Sequence, residues 1–379
     1  MKSLAKVGIP VFLVLVLLAA IVGCAAPAQP SPTIAPTKAA EPTKAPEATK
    51  PPATTPAAEA KPAQVIELKY NHHSPPESFE AKEGHAKWAQ LVEQRTNGKV
   101  KVTVYPGETL SKAKDALDVT IAGTADISWA YIGLHLGRFP LTEVIELPML
   151  GIQSSLHGSK VVEELYETTP EVQKEWSQVK VLFLHTLAPQ IVATAKKKVQ
   201  VVEDLKGQRI RAVAGNPTKF LQTLGATPVN VAIPEIYEAL QRGTIDGYSG
   251  GWPAVRAFKL HEVLKYAVDY PLYIPVYFLV MNQKKWDSLP PDVQKAISDV
   301  SGQYGAQMFG KVFDDTANAG MQEAASKGME IVKLSADELK RWQAPAAPIW
   351  DEWVSNANSK GANGKALLDK VKQLVEKNK

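Results

Sequence analysis

The chain has 379 residues, with 43 Lys and Arg against 39 Asp and Glu and a formal net charge of +4. That near balance offers no polycationic face to neutralise a phosphate backbone, and no nucleic-acid motif is present, which argues against a nucleic-acid partner. Cys24 is the only cysteine, so no internal disulfide can form.

In chain order, Lys2 and Lys6 precede an apolar run from Val11 to Val22. The run is about half the ~20 residues a membrane-spanning helix needs. It has the shape of a signal-peptide core, residues 1–23, and is set aside from fold reasoning. It ends in Ile21-Val22-Gly23-Cys24, which resembles a bacterial lipobox. That resemblance implies that Cys24 becomes the lipid-modified first residue of the mature chain. From Ala25 to Ala63 the sequence is nearly all Pro, Ala, Thr, Lys and Glu, with a six-residue echo at Thr37, Thr43 and Thr49. Such a segment has nothing to build a core from and is expected to stay disordered and extended. Residues 24–63 therefore read as a tether, with a reach on the order of 100 Å at polyproline spacing.

The stretch from Gln64 to Lys379 exceeds one typical domain and suits two. Strand and helix patterns alternate along it, which is the signature of an α/β fold. Val65 to Tyr70 reads as a strand. Ser78 to Thr96 reads as a helix with His85, Trp88, Ala89 and Val92 on one face, stopped by Asn97-Gly98. Lys99 to Tyr105 alternates, with Val100, Val102 and Val104 inward. Ser111 to Ala122 reads as a helix and Asp126 to Ala130 as a strand. A second series follows, with strands at Val179 to His185 and Gln208 to Val213. Helices are expected from Pro217 to Leu224, closed by Gly225, and from Pro234 to Gln241, stopped by Gly243. Tyr273 to Met281 is an apolar strand running back towards the first half. Pro291 opens a helical stretch expected to reach the 320s, long enough to span two domains. Gly364 to Lys379 closes the chain with a helix whose lysine-rich last turn suits the helix dipole.

Asp204 to Ile297 carries a set of strings in a fixed order: DLKGQRIR, LGATPV, EIYEALQRGTIDG, HEVLKY and NQKKWDSLPPDVQKAI. Upstream stand NGKVKVTVYP and GTADIS. Together they resemble the DctP-like solute-binding proteins of tripartite ATP-independent periplasmic (TRAP) transporters. The resemblance covers essentially the whole folded region. It implies an α/β, two-domain periplasmic-binding-protein-like fold with a ligand cleft and a long helix spanning both domains. The domains expected are 64–188 with about 277–315, and 189–276 with about 316–379.

The resemblance also implies an organic-acid ligand whose carboxylate is gripped by the arginine ending the strand after DLKG, here Arg211. A guanidinium fork matches a carboxylate bidentately and keeps its charge when buried. Less direct candidates follow. Trp129 and Tyr131 share one side of the strand after GTADIS. Tyr131 stands where sugar-acid binders of the family carry an acidic residue, which argues against a polyhydroxylated ligand. His72 ends the first strand. Gln190 lies in the crossover where some members carry a second arginine. Ser249 and Trp252 lie in the loop after Asp246-Gly247, where Trp252 can stack on a planar ligand.

Enzyme chemistry finds little support. Gly247-Tyr248-Ser249-Gly250-Gly251 matches the nucleophile-elbow pattern, but His261 is the only later histidine and no credible acid precedes it. The glycines and Pro253 are read as denying the helix that pattern needs. His72 and His73 are adjacent and point to opposite faces of a strand, so no metal site is expected. No cofactor is implied. The leading reading is an exported, lipid-anchored receptor, facing the periplasm or cell exterior, that delivers an organic acid to a TRAP-type membrane permease. The alternative is a ligand-sensing lipoprotein that feeds a signalling partner.

Overall fold

The computed structural model describes residues 65–379, Ala214 excepted. The expectations for segment 1–23, for Cys24 and for the tether to Ala63 lie outside the described residues.

The strands are β1 (Ile66–Asn71), β2 (Val100–Tyr105), β3 (Ile127–Tyr131), β4 (Val179–Thr186), β5 (Ile191–Thr194), β6 (Arg209–Arg211), β7 (Thr227–Val229), β8 (Gly247–Gly250), β9 (Tyr266–Val268), β10 (Val276–Asn282) and β11 (Glu330–Val332). They form a five-stranded sheet in the order β2-β1-β3-β10-β4 and a six-stranded sheet in the order β11-β9-β5-β8-β6-β7. Each sheet with its helices is one lobe. β1 runs parallel to β2 and β3, so helices must carry the chain back between them. β10 enters the first sheet antiparallel between β3 and β4.

Local sequence explains most of this. In β2, Val100 and Val102 are buried while Lys101 and Thr103 face water. The first helix places His85, Trp88, Ala89 and Val92 in the core, as their spacing predicts. It starts where expected: the Ser78 hydroxyl accepts the Ala81 amide as an N-cap, and helical residues follow from Phe79. The stretch Ala81–Ala86 is π-helical and continues as Lys87–Arg95.

The helix expected from Pro291 into the 320s is two helices, Pro291–Ser298 and Gly302–Ser326. Val300 turns fully inward, and its carbonyl accepts Trp88 Nε1 at 3.0 Å. Gly302 then takes a φ of 55°, a left-handed conformation that a side chain resists. The second helix has 25 residues, about 38 Å at 1.5 Å per residue. It bridges the lobes: Phe309 and Phe313 pack in the first-lobe core, Ala317 and Ala324 in the second. Close approach needs small residues, and a Cβ on Gly320 would meet the Trp252 carbonyl oxygen at 2.5 Å. Asp314 on the same helix accepts the Ser155 and Leu156 amides at 2.6 and 3.0 Å. It thereby caps the helix Ser155–Thr168 with a negative charge, which the helix dipole favours.

The chain passes between lobes after β4 and again before β10, and the two passages are joined. The Gln190 amide donates to the Tyr273 carbonyl at 2.9 Å and the Leu187 amide to the Pro275 carbonyl at 3.0 Å. After β11 the helix Ala336–Gln343 lies on the second lobe, where Glu338 accepts the Val202 amide. The C-terminal helix Gly364–Lys377 does not stay with that lobe, although the expected boundaries group it there. Its apolar face, Leu367, Leu368, Val371, Leu374 and Val375, is buried. It packs against the helix Ser155–Thr168 of the first lobe, with His157 Nε2 at 2.8 Å from the Val375 carbonyl.

Glu163 is buried in that first-lobe helix, with Oε2 accepting the Leu184 amide at 2.7 Å. Burial, opposed by that bond, raises its carboxyl to about 8. Glu146 and Glu175 are raised to about 8 and about 7 for the same reason. An acid raised in the folded state contributes stability that is complete below its unfolded value near 4.5 and is lost as pH rises through the folded value. The melting temperature should therefore fall between pH 5 and pH 9. Glu163→Gln should recover part of that fall, on the order of 5 °C. Parallel melting profiles for the two proteins would show that Glu163 ionises freely in the folded state.

Candidate functional site

The strand ends facing the interlobe passages bring one cation and a wall of aromatic rings together. Arg211 closes β6 and is 6 % exposed. Its Nε donates to the Val231 carbonyl at 3.1 Å, and its guanidinium lies 5.9 Å from the centre of the Tyr248 ring. No carboxylate pairs with it among the described residues, and neither terminal nitrogen makes a hydrogen bond there. Tyr248 is the β8 neighbour of Arg211. Burial raises its phenol to about 12, with Arg211 pulling the other way. Tyr273, on the passage into β10, places its phenol within the fields of Tyr248, Arg211 and Glu146. It thus stands between the two lobes. Ser249 Oγ is buried and approaches the Tyr273 phenol without meeting hydrogen-bond geometry.

The first lobe supplies the rings. Tyr277 on β10 packs on Trp129 at 4.5 Å and on Tyr131 at 5.4 Å, so both β3 residues do face one side. His73 stacks on Trp129 at 4.6 Å. Trp129 Nε1 donates to His185 Nε2 at 2.7 Å. That bond assigns the His185 proton to Nδ1, which faces the Thr186 carbonyl at 3.1 Å. Burial lowers His185 to about 3, and His72 and His73 to about 4, so all three are neutral at ordinary pH. His72 stacks on His85 at 3.9 Å, behind the wall. Both nitrogens of His72, Nδ1 of His73 and Nε2 of His85 have no hydrogen-bond partner among the described residues. Buried polar atoms are nearly always paired, so this side of the site holds unused hydrogen-bonding capacity.

Two tyrosines, one per lobe, rest on their own backbone. A Cβ on Gly133 would meet the Tyr131 ring at 2.4 Å, and one on Gly250 would meet the Tyr248 hydroxyl even more closely. The shared spacing Tyr-x-Gly, in Tyr131-Ile132-Gly133 and Tyr248-Ser249-Gly250, is what lets each ring fold over the chain.

Of the residues expected from sequence, Arg211 and Ser249 lie on the second-lobe side, with Trp129 and Tyr131 on the first-lobe wall. His72 lies one layer behind. Gln190 sits in the joined passages, with its side-chain amide folded onto the Ala188 carbonyl at 2.8 Å. Trp252 is buried in the second-lobe core cluster that also holds Tyr248, under Gly320 of the long helix, and its ring stacks on none of the first-lobe aromatics. The helix denied after Gly251 exists, as Trp252–Ala257, because Pro253 falls in the first turn where its missing N–H costs nothing. Ser249 nevertheless lies inside strand β8 and not at a strand-to-helix turn.

Tyr248, Tyr273, Tyr277, His73, His185 and Glu146 were not singled out by sequence. Glu146 left a trace, as a lone acid in the apolar string from Val144 to Leu150.

A family model described as DctP, bacterial extracellular solute-binding protein, family 7, matches residues 70–356. The outer membrane transporter protein TsaT of Comamonas testosteroni is 30% identical, over 74% of this chain and 83% of that protein. A TRAP solute-binding protein of Rhodoferax ferrireducens, solved with copurified benzoate, superposes with a TM-score of 0.75 at 30% identity, covering 83% of this chain and 98% of that one. A marine metagenome TRAP solute-binding protein specific for aromatic acid ligands, solved with 3-hydroxybenzoate, superposes at 0.76 with 30% identity, covering 83% and 99%.

The Trp129–His185 bond gives a direct check on the wall. Trp129→Phe keeps a ring against Tyr277 but leaves His185 Nε2 without its donor. It should destabilise the protein by about 1–3 kcal/mol. Urea unfolding measures this, and an unchanged midpoint would mean that the bond contributes nothing.

Proposed function

The chain belongs to family 7 of the bacterial extracellular solute-binding proteins, and from that membership we propose that it captures an aromatic organic acid between its lobes and delivers it to a TRAP-type membrane permease. The observation that carries this reading is the buried Arg211 guanidinium, which has no carboxylate partner among the described residues and stands at one end of the Tyr248, Tyr273, Tyr277, Tyr131 and Trp129 rings. A ligand carboxylate loses its water on entering such a place and needs a paired charge in return. Arg211 is held by its Nε bond to Val231, which leaves both terminal nitrogens to form a two-pronged grip. The aromatic wall suits a flat apolar body. The two similar structures that hold benzoate and 3-hydroxybenzoate support the same ligand class.

In this reading the lobes, 64–188 with about 277–315 and 189–276 with the chain from about 316, close over the ligand about the joined passages at Gln190 and Tyr273. The C-terminal helix travels with the first lobe, on which it packs. The protein acts as a receptor and not as a catalyst. Cys24 carries the lipid, and residues 24–63 tether the receptor to the outer face of the cell membrane. No helix among the described residues is long and apolar enough to cross a membrane.

Calorimetry with benzoate tests the grip. Arg211→Ala should weaken binding by about 2–5 kcal/mol, and Arg211→Lys by less, since it keeps the charge but loses the fork. Melting of the ligand-free variants should stay near wild type. Normal affinity with early melting would instead make Arg211 a structural residue. For the anchor, Cys24→Ala should move the protein from the membrane fraction to the soluble one, and retention after a carbonate wash would rule out the lipid.

A further inference from the structure

Glu146 has no place in the carboxylate grip, yet it lies against the site. It is 7 % exposed. Its Oε1 accepts the Val276 amide at 2.7 Å, and its Oε2 lies 3.2 Å from the Tyr131 hydroxyl. No lysine or arginine pairs with it among the described residues. The titratable groups that act on it or feel it are Glu143 on its own turn, Tyr131 on β3, and Tyr273 and Tyr277 on the chain passing into β10. The helices Ser155–Thr168 and Gly364–Lys377 also pack on this turn, and neither adds a charge that acts on it. Tyr131, which Glu146 touches, packs on Tyr277 at 5.4 Å in the aromatic wall, so this carboxyl stands directly behind the face proposed to meet the ligand. A bare carboxylate there would be buried without a counter-charge and would repel the ligand.

We propose that Glu146 is a positioning residue, held as a neutral acid, that turns the Tyr131 hydroxyl outward as a hydrogen-bond donor to the bound anion. The proposal rests on the reading of the interlobe site as a carboxylate site. The geometry fixes the roles. Oε1 is occupied as an acceptor by the Val276 amide, so the acid proton sits on Oε2 and is donated to the Tyr131 oxygen. The Tyr131 O–H is then free to donate to a ligand. Once Glu146 is ionised it can only accept, the Tyr131 O–H turns back to it, and the phenol offers lone pairs to the anion. A single proton thus inverts what the first lobe presents. Burial, reinforced by Glu143, raises the Glu146 carboxyl to about 8, in keeping with this arrangement.

An anion bound nearby favours the protonated form, so affinity should be full below about pH 7 and decline as pH rises through about 8. Benzoate stays ionised across this range, so the ligand does not account for the decline. The experiment is calorimetric titration of benzoate into the full chain from pH 6.5 to pH 9.5. The dissociation constant should weaken about tenfold between pH 7 and pH 9. Glu146→Gln, whose amide can donate to the Tyr131 oxygen and accept from Val276, should bind as wild type does at pH 7 and show no such decline. Glu163→Gln, which alters a buried acid packed away from the site, should keep the wild-type decline. A pH-independent wild type, or a Glu146→Gln variant that retains the decline, overturns the proposal. An infrared difference between ligand-free wild type and Glu146→Gln separates the two ideas. It should show a carboxylic-acid carbonyl band at pH 7 that is gone at pH 9.5. Absence of that band overturns the neutral acid, whereas its presence with no benzoate binding at any pH overturns the carboxylate reading and with it the donor role.

Discussion

A charge kept from water needs a counter-charge, and the described chain offers Arg211 none. The groups around it are arranged to leave that charge unspent. Tyr248 and Tyr273 are phenols that burial keeps neutral. Glu146, an acid that hydrogen-bonds the first-lobe Tyr131, is held towards its neutral form. On the first-lobe side His72, His73 and His185 are neutral as well. In the carboxylate reading proposed above, a single net positive charge in a neutral aromatic setting favours one carboxylate over two, because a second anionic group would find no cation to receive it.

The architecture places the two halves of the site on separate sheets. Arg211, Tyr248 and Ser249 belong to the second sheet, and Trp129, Tyr131 and Tyr277 to the first. The joined passages hold Tyr273 between them. The long helix ties the lobes from behind, through phenylalanines on one half and small residues on the other. Tyr-x-Gly recurs on both sides because a ring that lies over its own strand needs the next residue on that face to have no Cβ. The wall is therefore built into the strands and does not depend on mobile loops.

The alternation of strands and helices, the burial of the His85–Val92 face and the alternating valines of β2 were legible because periodicity encodes which side of an element is inward. Motif resemblance is what singled out Arg211, Trp129 and Tyr131. Trp252 is buried in the second-lobe cluster that also holds Tyr248, and an aromatic residue beside a ligand loop and one capping a core look alike in sequence. The residues after β8 were misread on their own terms, because proline in a first helical turn is permitted. The break at Val300 to Gly302 was hidden because it answers to Trp88, far away in the chain.

The sequence by itself determined the fold class, the two-lobed plan, the family, and the one arginine on which the carboxylate reading rests. Only the tertiary structure decided what surrounds that cation. Tyr273, Tyr277, His185 and Glu146 matter through what they meet: Arg211 and Ser249 for the first, Trp129 for the next two, and Tyr131 for the last. Periodicity says which face a residue occupies, whereas its partner is set by register between strands and by the packing of distant segments. A carboxyl reads as a charge in the sequence, and only its burial, its single amide donor and its phenol neighbour make it an acid that keeps its proton.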